Sequence, residues 1–300
     1  DAGAGGAPGA GSFLAAVARN THLVALTLSG NPLGDGTDDG APLGQALAES
    51  QALTSVFLAD AGLSGPVVRS TLIAVATNPR LAMLDVSGNY ATAENYRKIA
   101  RSVTQRAKSL APIPPPPLFL GLRNTRVRDS GLRHLLDAGL SLPETLRLDG
   151  THLDGTSLGA LARCATRPDT KVGQASFLRH LTLACNNISV DGVRAITALL
   201  VDPLCRLETL DLSCAHLGDA ALAVLADSLA GMHTLRSLRL DGNKFSHAAM
   251  NRFAESMGDN RSLTQLSLST QEDLPQNVFY TTYNILLRNR AVRDGFHFAS

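Results

Sequence analysis

One spacing of apolar residues, LxxLxL with a further position three residues later, recurs nine times along this chain. In the stretch LRSLRLDGNKF the leucines stand at 235, 238 and 240, and Asn243 follows. Neither a helical face nor a plain alternating strand produces this spacing. The nine copies begin at Leu23, Leu53, Leu81, Pro117, Pro143, Leu178, Leu207, Leu235 and Leu263. Because successive copies start 26 to 36 residues apart, we predict an array of similar units in register.

Between the copies the apolar period becomes helical. Val193, Ile196 and Leu200 fall on one stripe of a helix. Short polar residues that can cap free backbone N–H groups precede such stretches, namely Asp129, Asp154, Asp191, Asp219 and Ser246. Each unit is therefore predicted to be a short strand, a turn and a helix.

These units resemble leucine-rich repeats, and a step near 28 residues with a full helix resembles the ribonuclease-inhibitor type. The resemblance implies an α/β fold, a right-handed β/α solenoid or horseshoe with parallel strands on the concave face and helices on the convex face. Strands stack about 4.8 Å apart and helices about 10 Å apart, so such an array must curve. We expect a flexible leader or truncation edge at 1–11, about nine repeats over 12–274, and a capping helix and tail at 275–300.

The Asn of each repeat is expected to bond to backbone in the turn and to link successive turns. Ala61 and Ala215 stand at this position in two repeats and cannot make the bond, while Thr125 and Thr151 supply only a hydroxyl. We predict looser turns at these four repeats.

The C-terminal stretch carries a narrower resemblance. A last repeat ending in the polar QED, followed by NVFYTTYNILLRNRAVRD, is similar to the end of the repeat domain in the CARMIL family of capping protein regulators and myosin linkers. Tropomodulin-like and NLR-type repeats end in similar ways. The resemblance implies a cytoskeletal scaffold that acts on actin capping protein, and a final helix that covers the apolar edge left by Leu266 and Leu268.

Composition and charge argue against several other classes of protein. The formal net charge is only +1, which argues against a nucleic-acid binder. Four cysteines without a CxxC pair favour a reducing, cytoplasmic location over a disulfide framework. No apolar run is long enough to span a membrane. We expect no cofactor.

Two stretches resemble metal sites in part, but neither predicts one. GDGTDDG at 34–40 lacks the third-position acid and the bidentate Glu of a calcium loop. Cys185 and Cys214 occupy one slot in adjacent repeats, but a metal needs three or four convergent ligands. We also find no nucleophile elbow, phosphate-binding loop or zinc-protease motif, so catalysis is not predicted.

If the leucines point inward, the intervening positions form the concave face. Large apolar residues cluster on it at Phe57, Met83 and Phe119. Charged or polar residues follow further along, at Asp85, Arg123, Arg147, Asp149, His180, Asp211, Arg239 and Asp241. Exposed aromatic residues beside arginines are typical of protein interfaces. The structural alternative is that Phe119 packs under the neighbouring proline-rich loop and that the charges pair across strands.

Two further segments have structural and functional interpretations. The proline run at 111–118 favours an extended helix that SH3- or profilin-like domains bind, or a stiff connector. The basic helix at 96–108 is either a solvated face or a contact for an acidic partner or a membrane surface.

The sequence thus predicts a non-catalytic interaction module that binds a protein partner on its concave face. The more specific hypothesis is a cytoplasmic, cytoskeleton-associated scaffold resembling CARMIL. The alternatives are the ligand-sensing repeats of an NLR-type receptor and an architectural subunit of a large assembly.

Overall fold

The computed structural model describes residues 10–33, 41–107, 119–137, 142–166, 177–269 and 274–294. The chain divides into two compact units, Asp1–Pro143 and Glu144–Ser300. In both units short strands alternate with helices along the chain, as the repeat spacing predicted.

The first unit contains four strands and five helices in the part of the chain described. Its strands are β1 (Ala25–Thr27), β2 (Ser55–Phe57), β3 (Met83–Asp85) and β4 (Phe119–Gly121). Its helices are α1 (Ala10–Arg19), α2 (Ala41–Glu49), α3 (Gly65–Thr77), α4 (Ala93–Ala107) and α5 (Arg128–Asp137). The strands pair in parallel in chain order.

The second unit contains five strands and five α-helices among its described residues, together with two short 3-10 helices at Leu229–Gly231 and Met257–Asp259. Its strands are β5 (Thr145–Arg147), β6 (His180–Thr182), β7 (Thr209–Asp211), β8 (Ser237–Arg239) and β9 (Gln265–Ser267). Its helices are α6 (Leu158–Thr166), α7 (Val190–Leu200), α8 (Asp219–Ser228), α9 (His247–Ser256) and α10 (Gln276–Arg293). These strands also pair in parallel in chain order, which confirms the predicted leucine-rich repeat fold.

The repeated leucines form the core of each unit. Leu235, Leu238 and Leu240 of the opening stretch are all fully buried. Because side chains alternate along a strand, a buried middle residue leaves its two neighbours on the outer face, here called the strand face. The strands β2, β3, β5, β6 and β7 show this pattern, with a buried residue between two half-buried ones.

Each buried Asn of the template serves two turns. The side-chain amide of Asn243 donates to the carbonyls of Leu240 in its own turn and Leu212 in the preceding repeat. Its Oδ1 accepts from the backbone N–H groups of Ala215 and Leu217. The bonds that Ala215 cannot make in its own repeat are therefore supplied by the next one.

The same arrangement closes two other turns that were expected to be loose. Asn89 Oδ1 accepts from the backbone of Leu63, beyond Ala61, and Asn186 Oδ1 accepts from the backbone of Thr151. The hydroxyl of Thr125 donates to the carbonyl of Leu122 at 2.6 Å. The prediction of looser turns is wrong for Ala61, Thr151 and Ala215, since backbone groups there are bonded by a neighbouring repeat.

The helices begin close to the predicted capping residues but not always at them. Ser246 caps α9 by accepting from the backbone N–H of Ala249. At α7 the cap is Ser189 rather than Asp191, which lies in the first turn of the helix. A serine two residues upstream has the extended backbone that a cap requires.

The last helix, α10, is held to the final repeat by polar contacts. Asn289 Nδ2 donates to the carbonyls of Leu263 at 2.8 Å and Asn260 at 3.3 Å. Arg290 Nε donates to the carbonyl of Thr264 at 2.7 Å. Val278 and Thr282, nearer the start of the helix, are also buried. The helix therefore satisfies backbone groups at the end of the unit and covers part of its core.

Candidate protein-binding surfaces

Three large apolar side chains lie on the strand face of the first unit. Met83 on β3 and Phe119 on β4 are directly paired in register, and Phe57 on β2 is paired with Asp85. Neighbouring parallel strands are about 4.8 Å apart, so these side chains are close neighbours on one face. All three are half-buried and keep apolar surface toward solvent. We call Phe57, Met83 and Phe119 the apolar patch.

The polar residues at the border of the apolar patch are fixed by backbone contacts. Asp85 Oδ1 accepts from the backbone N–H of Ser87 at 2.9 Å. Its carboxylate lies directly over Gly121 of the next strand, in space that a larger residue there would fill. Arg123 donates its backbone N–H to Ser87 Oγ at 3.1 Å and leaves its side chain half-buried. The patch is thus bordered by one acidic and one basic group.

The strand face of the second unit is polar. His180 Nδ1 lies 2.8 Å from Thr209 Oγ1, which joins β6 to β7 on this face. Arg147 on β5 is half-buried, and no hydrogen bond or ion pair joins its guanidinium to another residue in the described ranges. An accessible guanidinium without a partner suits a carboxylate on another protein.

Further along the same face, Arg239 lies between two carboxylates. Its guanidinium is 3.5 Å from Asp211 and 3.4 Å from Asp241. Burial opposes ionisation of Asp241, but hydrogen bonds from Ser267 and Ser269 and the charge of Arg239 outweigh it and lower its pKa. These charges therefore pair across strands, as the structural alternative anticipated, while Arg239 remains exposed.

Asp149 does not fit the predicted surface. It was expected to present its carboxylate to a partner, but only 7% of the residue is exposed. Its two oxygens accept from Thr182 Oγ1 at 2.8 Å and from the backbone N–H of Ala184 at 3.0 Å. The prediction is wrong for Asp149, because a short side chain just after a strand reaches the next repeat before it reaches solvent.

A groove beside β9 and α10 was missed by the sequence reasoning. It encloses about 590 Å³ and is lined mainly by Leu266, Leu268, Leu274, Phe279, Tyr283, Leu286 and Leu287. Phe279 and Tyr283 stack with ring centroids 5.9 Å apart and are each about half exposed. The final helix therefore leaves Leu266 half-exposed rather than covering it fully. Aromatic residues at i and i+4 in α10 were the signal available in the sequence.

The remaining predicted features fall partly outside the described residues. The GDGTDDG stretch at 34–40 and the proline run at 111–118 lie outside them, as do Lys108 and the side chain of Arg106. In the described part of the basic helix, Arg97 pairs with Glu94 at 2.7 Å, and Arg101 is exposed. No group of three His, Cys, Asp or Glu residues able to hold a metal occurs within the described ranges. No helix in those ranges has the length and apolar character needed to cross a membrane.

Comparison with known proteins identifies three of the nine copies. The family model described as Leucine Rich repeat matches residues 19–36, 174–196 and 205–226, which include the first, sixth and seventh copies. Human NACHT, LRR and PYD domains-containing protein 5 is 26% identical over 243 residues, covering 80% of this chain and 17% of that protein. The ribonuclease inhibitor of Sus scrofa is 31% identical over 140 residues, covering 47% of this chain and 30% of the inhibitor. The chain thus spans less than a third of the length of either relative.

One solved structure also matches this chain. The leucine-rich repeat-containing protein LegL7 from Legionella pneumophila is 16% identical, with a TM-score of 0.43, and the match covers 94% of this chain and 96% of LegL7.

Proposed function

We propose that this chain, which has the leucine-rich repeat fold, is a non-catalytic module whose strand face binds a protein partner. The observation that carries the proposal is the apolar patch. Most leucines of these repeats are buried in the core, whereas Phe57, Met83 and Phe119 keep apolar surface on the strand face. Partly exposed aromatic and methionine side chains are enriched where proteins bind each other.

The polar residues around the patch would orient the partner. Asp85 and Arg123 supply opposite charges at its border, and a protein partner of complementary charge would be placed by them. In the second unit, Arg147, His180 and Arg239 offer further groups for such contacts. One relative is named for inhibiting a ribonuclease, which is itself a protein, and this supports a protein as the class of ligand.

Two finer functions remain candidates under the same proposal. The ligand-sensing repeats of an NLR-type receptor are supported by the human NACHT, LRR and PYD relative, which matches four-fifths of this chain. A cytoskeletal scaffold of the CARMIL kind is supported by the C-terminal motifs alone. We favour the first, because its likeness extends over both units.

The test is to remove the apolar patch while keeping the fold. We expect the triple variant Phe57→Ser, Met83→Ser and Phe119→Ser to lose at least tenfold in affinity for partners that the wild-type chain captures, as judged by quantitative pull-down and then by titration of each purified partner. Loss of anchor residues at an interface centre typically costs more than about 2 kcal/mol each. Unchanged circular dichroism and thermal midpoint would show that the variant is folded.

A control changes more exposed apolar residues elsewhere. Val201 and Leu204 lie in the loop after α7 and are 37% and 48% exposed. The variant Val201→Ser with Leu204→Ser should bind as the wild type does. Equal binding by the folded triple variant and the wild type would refute the proposed surface.

A further inference from the structure

After each of the first eight strands, the residue three positions beyond the strand lies in the left-handed backbone region. Its φ is between +52° and +73° in all eight. The residues concerned are Gly30, Asp60, Gly88, Asn124, Gly150, Cys185, Cys214 and Gly242. Gly, Asn and Asp are the types that tolerate this conformation, whereas cysteine is unusual there. Two adjacent repeats therefore place a cysteine where the backbone disfavours one.

These two cysteines are direct neighbours across the strands. Thr182 pairs with Asp211 at the ends of β6 and β7, and the register continues for three more residues to Cys185 and Cys214. The backbone N–H of Cys185 donates to the carbonyl of Ser213 at 2.9 Å, which is the bond expected when 185 and 214 are paired. Neighbouring strands are about 4.8 Å apart. That spacing lies inside the range of about 4.4 to 6.8 Å between Cα atoms that a disulfide requires.

The side chains at this turn position lean toward the next repeat. A Cβ atom placed on Gly242 would lie only 2.6 Å from the sulfur of Cys214, and the carboxylate of Asp60 occupies the equivalent space beside Gly88. Cys185 has nearly the same φ as Cys214, +56° against +52°. Its sulfur is therefore directed toward Cys214, as the sulfur of Cys214 is toward Gly242.

Both thiols can be reached from solvent. Cys185 and Cys214 are exposed, whereas Cys164 is half-buried and Cys205 is buried. The sulfur of Cys205 is engaged by the backbone N–H of Leu207 and the hydroxyl of Thr234. Burial raises the pKa of the Cys185 thiol, and contact with the Cys214 thiol and the nearby carboxylates of Asp149 and Asp211 raise it further. The Cys185 thiol must therefore lose its proton before it can attack, because the thiolate is the nucleophile.

We propose that Cys185 and Cys214 form a redox-active dithiol that small disulfides of the glutathione class oxidise to a cross-repeat disulfide. The thiolate of one cysteine attacks the small disulfide, forms a mixed disulfide and releases one small thiol. The second cysteine then attacks the protein sulfur of that mixed disulfide, which forms the Cys185–Cys214 bond and releases the second small thiol. Two protein thiols are oxidised and one small disulfide is reduced to two thiols, with two protons transferred to the leaving thiolates.

The bond would join the turns of two repeats on the rim of the strand face in the second unit. It would fix Cys185 and Cys214 beside Asp149 and Asp211, and it would be reversible by an excess of small thiol. A disulfide of this kind is regulatory rather than part of a permanent framework, because it lies at the surface and is accessible to reductant.

The experiment uses the full chain, reduced and then exposed to oxidised glutathione. We expect the number of free thiols to fall from four to two per chain. A non-reducing digest should yield one crosslinked species that joins the peptides containing Cys185 and Cys214, and the thermal midpoint should rise. The same treatment in concentrated urea should give mixed pairings, because the geometry that selects this pair is lost.

Two variants make the result specific. Cys214→Ser should retain one glutathione on Cys185 and form no crosslink, since the resolving thiol is gone. Cys164→Ser should crosslink as the wild type does. Stable glutathione on both exposed cysteines, four unmodified thiols, or a crosslink to Cys164 or Cys205 would each overturn the proposal.

Discussion

The buried asparagines show how one residue type can support two repeats. Asn243 makes four hydrogen bonds to backbone, one in its own turn and three that reach the preceding repeat. Asn31 stands at the same template position, but it is exposed, and its side-chain amide donates to the carbonyls of Leu28 and Ser29 in its own turn. The asparagine at 243 should therefore contribute much more to the free energy of unfolding than the asparagine at 31.

We predict that Asn243→Ala lowers the free energy of unfolding by about 3 kcal/mol. The substitution leaves buried backbone donors and acceptors without partners, and each such group costs about 1 to 3 kcal/mol. Asn31→Ala should change it by less than about 0.5 kcal/mol, as expected for an exposed residue. Urea denaturation followed by circular dichroism measures both variants, and similar losses in the two would contradict this account of the turns.

Single residues also mark the limit of sequence reasoning. The leucine template predicted the burial of Leu238 and Leu240, because a core position in a repeat admits one direction only. It did not predict that Asp149 would be buried, since that outcome depends on Thr182 and Ala184 of the next repeat. A template describes one repeat at a time, whereas the hydrogen bonds of short polar side chains join two.

The helix α10 is hydrogen-bonded to the last repeat on one side and leaves apolar side chains exposed on another. Asn289 is 2% exposed and donates to two carbonyls of the last repeat. Phe279, Tyr283 and Leu287 on the same helix are 42% to 51% exposed. The sequence indicated a capping helix, but the apolar residues along it did not reveal which of them the cap would leave uncovered.

We predict that Asn289→Ala releases α10 selectively. The change removes two buried hydrogen bonds near the C-terminal end of the helix. Hydrogen exchange of the amides in 276–293 should therefore accelerate by about tenfold or more, and tenfold is equivalent to about 1.4 kcal/mol. Asn284→Ala is the matched control, because Asn284 is exposed on the same helix and alanine favours helices. Unaltered exchange in Asn289→Ala would show that the other contacts of the helix suffice to hold it.

At the scale of the whole molecule, a repeat protein has no single central core. Each helix packs against the helices of adjacent repeats, as α7 does against α6 and α8, and each strand pairs with its neighbours. A leucine is therefore buried by the repeats on either side of it as much as by its own. This is why the sequence template, which treats all repeats as equal, could predict the fold and yet not the exposure of each residue.

The leucines at the last position of the template, Leu217 and Leu33, test whether burial depends on the neighbouring repeats. Leu217 in the seventh repeat is 1% exposed, whereas Leu33 in the first repeat is 43% exposed. Within the described chain, β7 has a strand neighbour on both sides and β1 has one on only one side. Leu217→Ala should lower the free energy of unfolding by about 2 to 5 kcal/mol, the cost of a cavity in a packed core. Leu33→Ala should cost less than about 1 kcal/mol, because much of its side chain is already in water. Chemical denaturation of the two variants measures the difference, and equal costs would mean that burial follows the template rather than the neighbouring repeats.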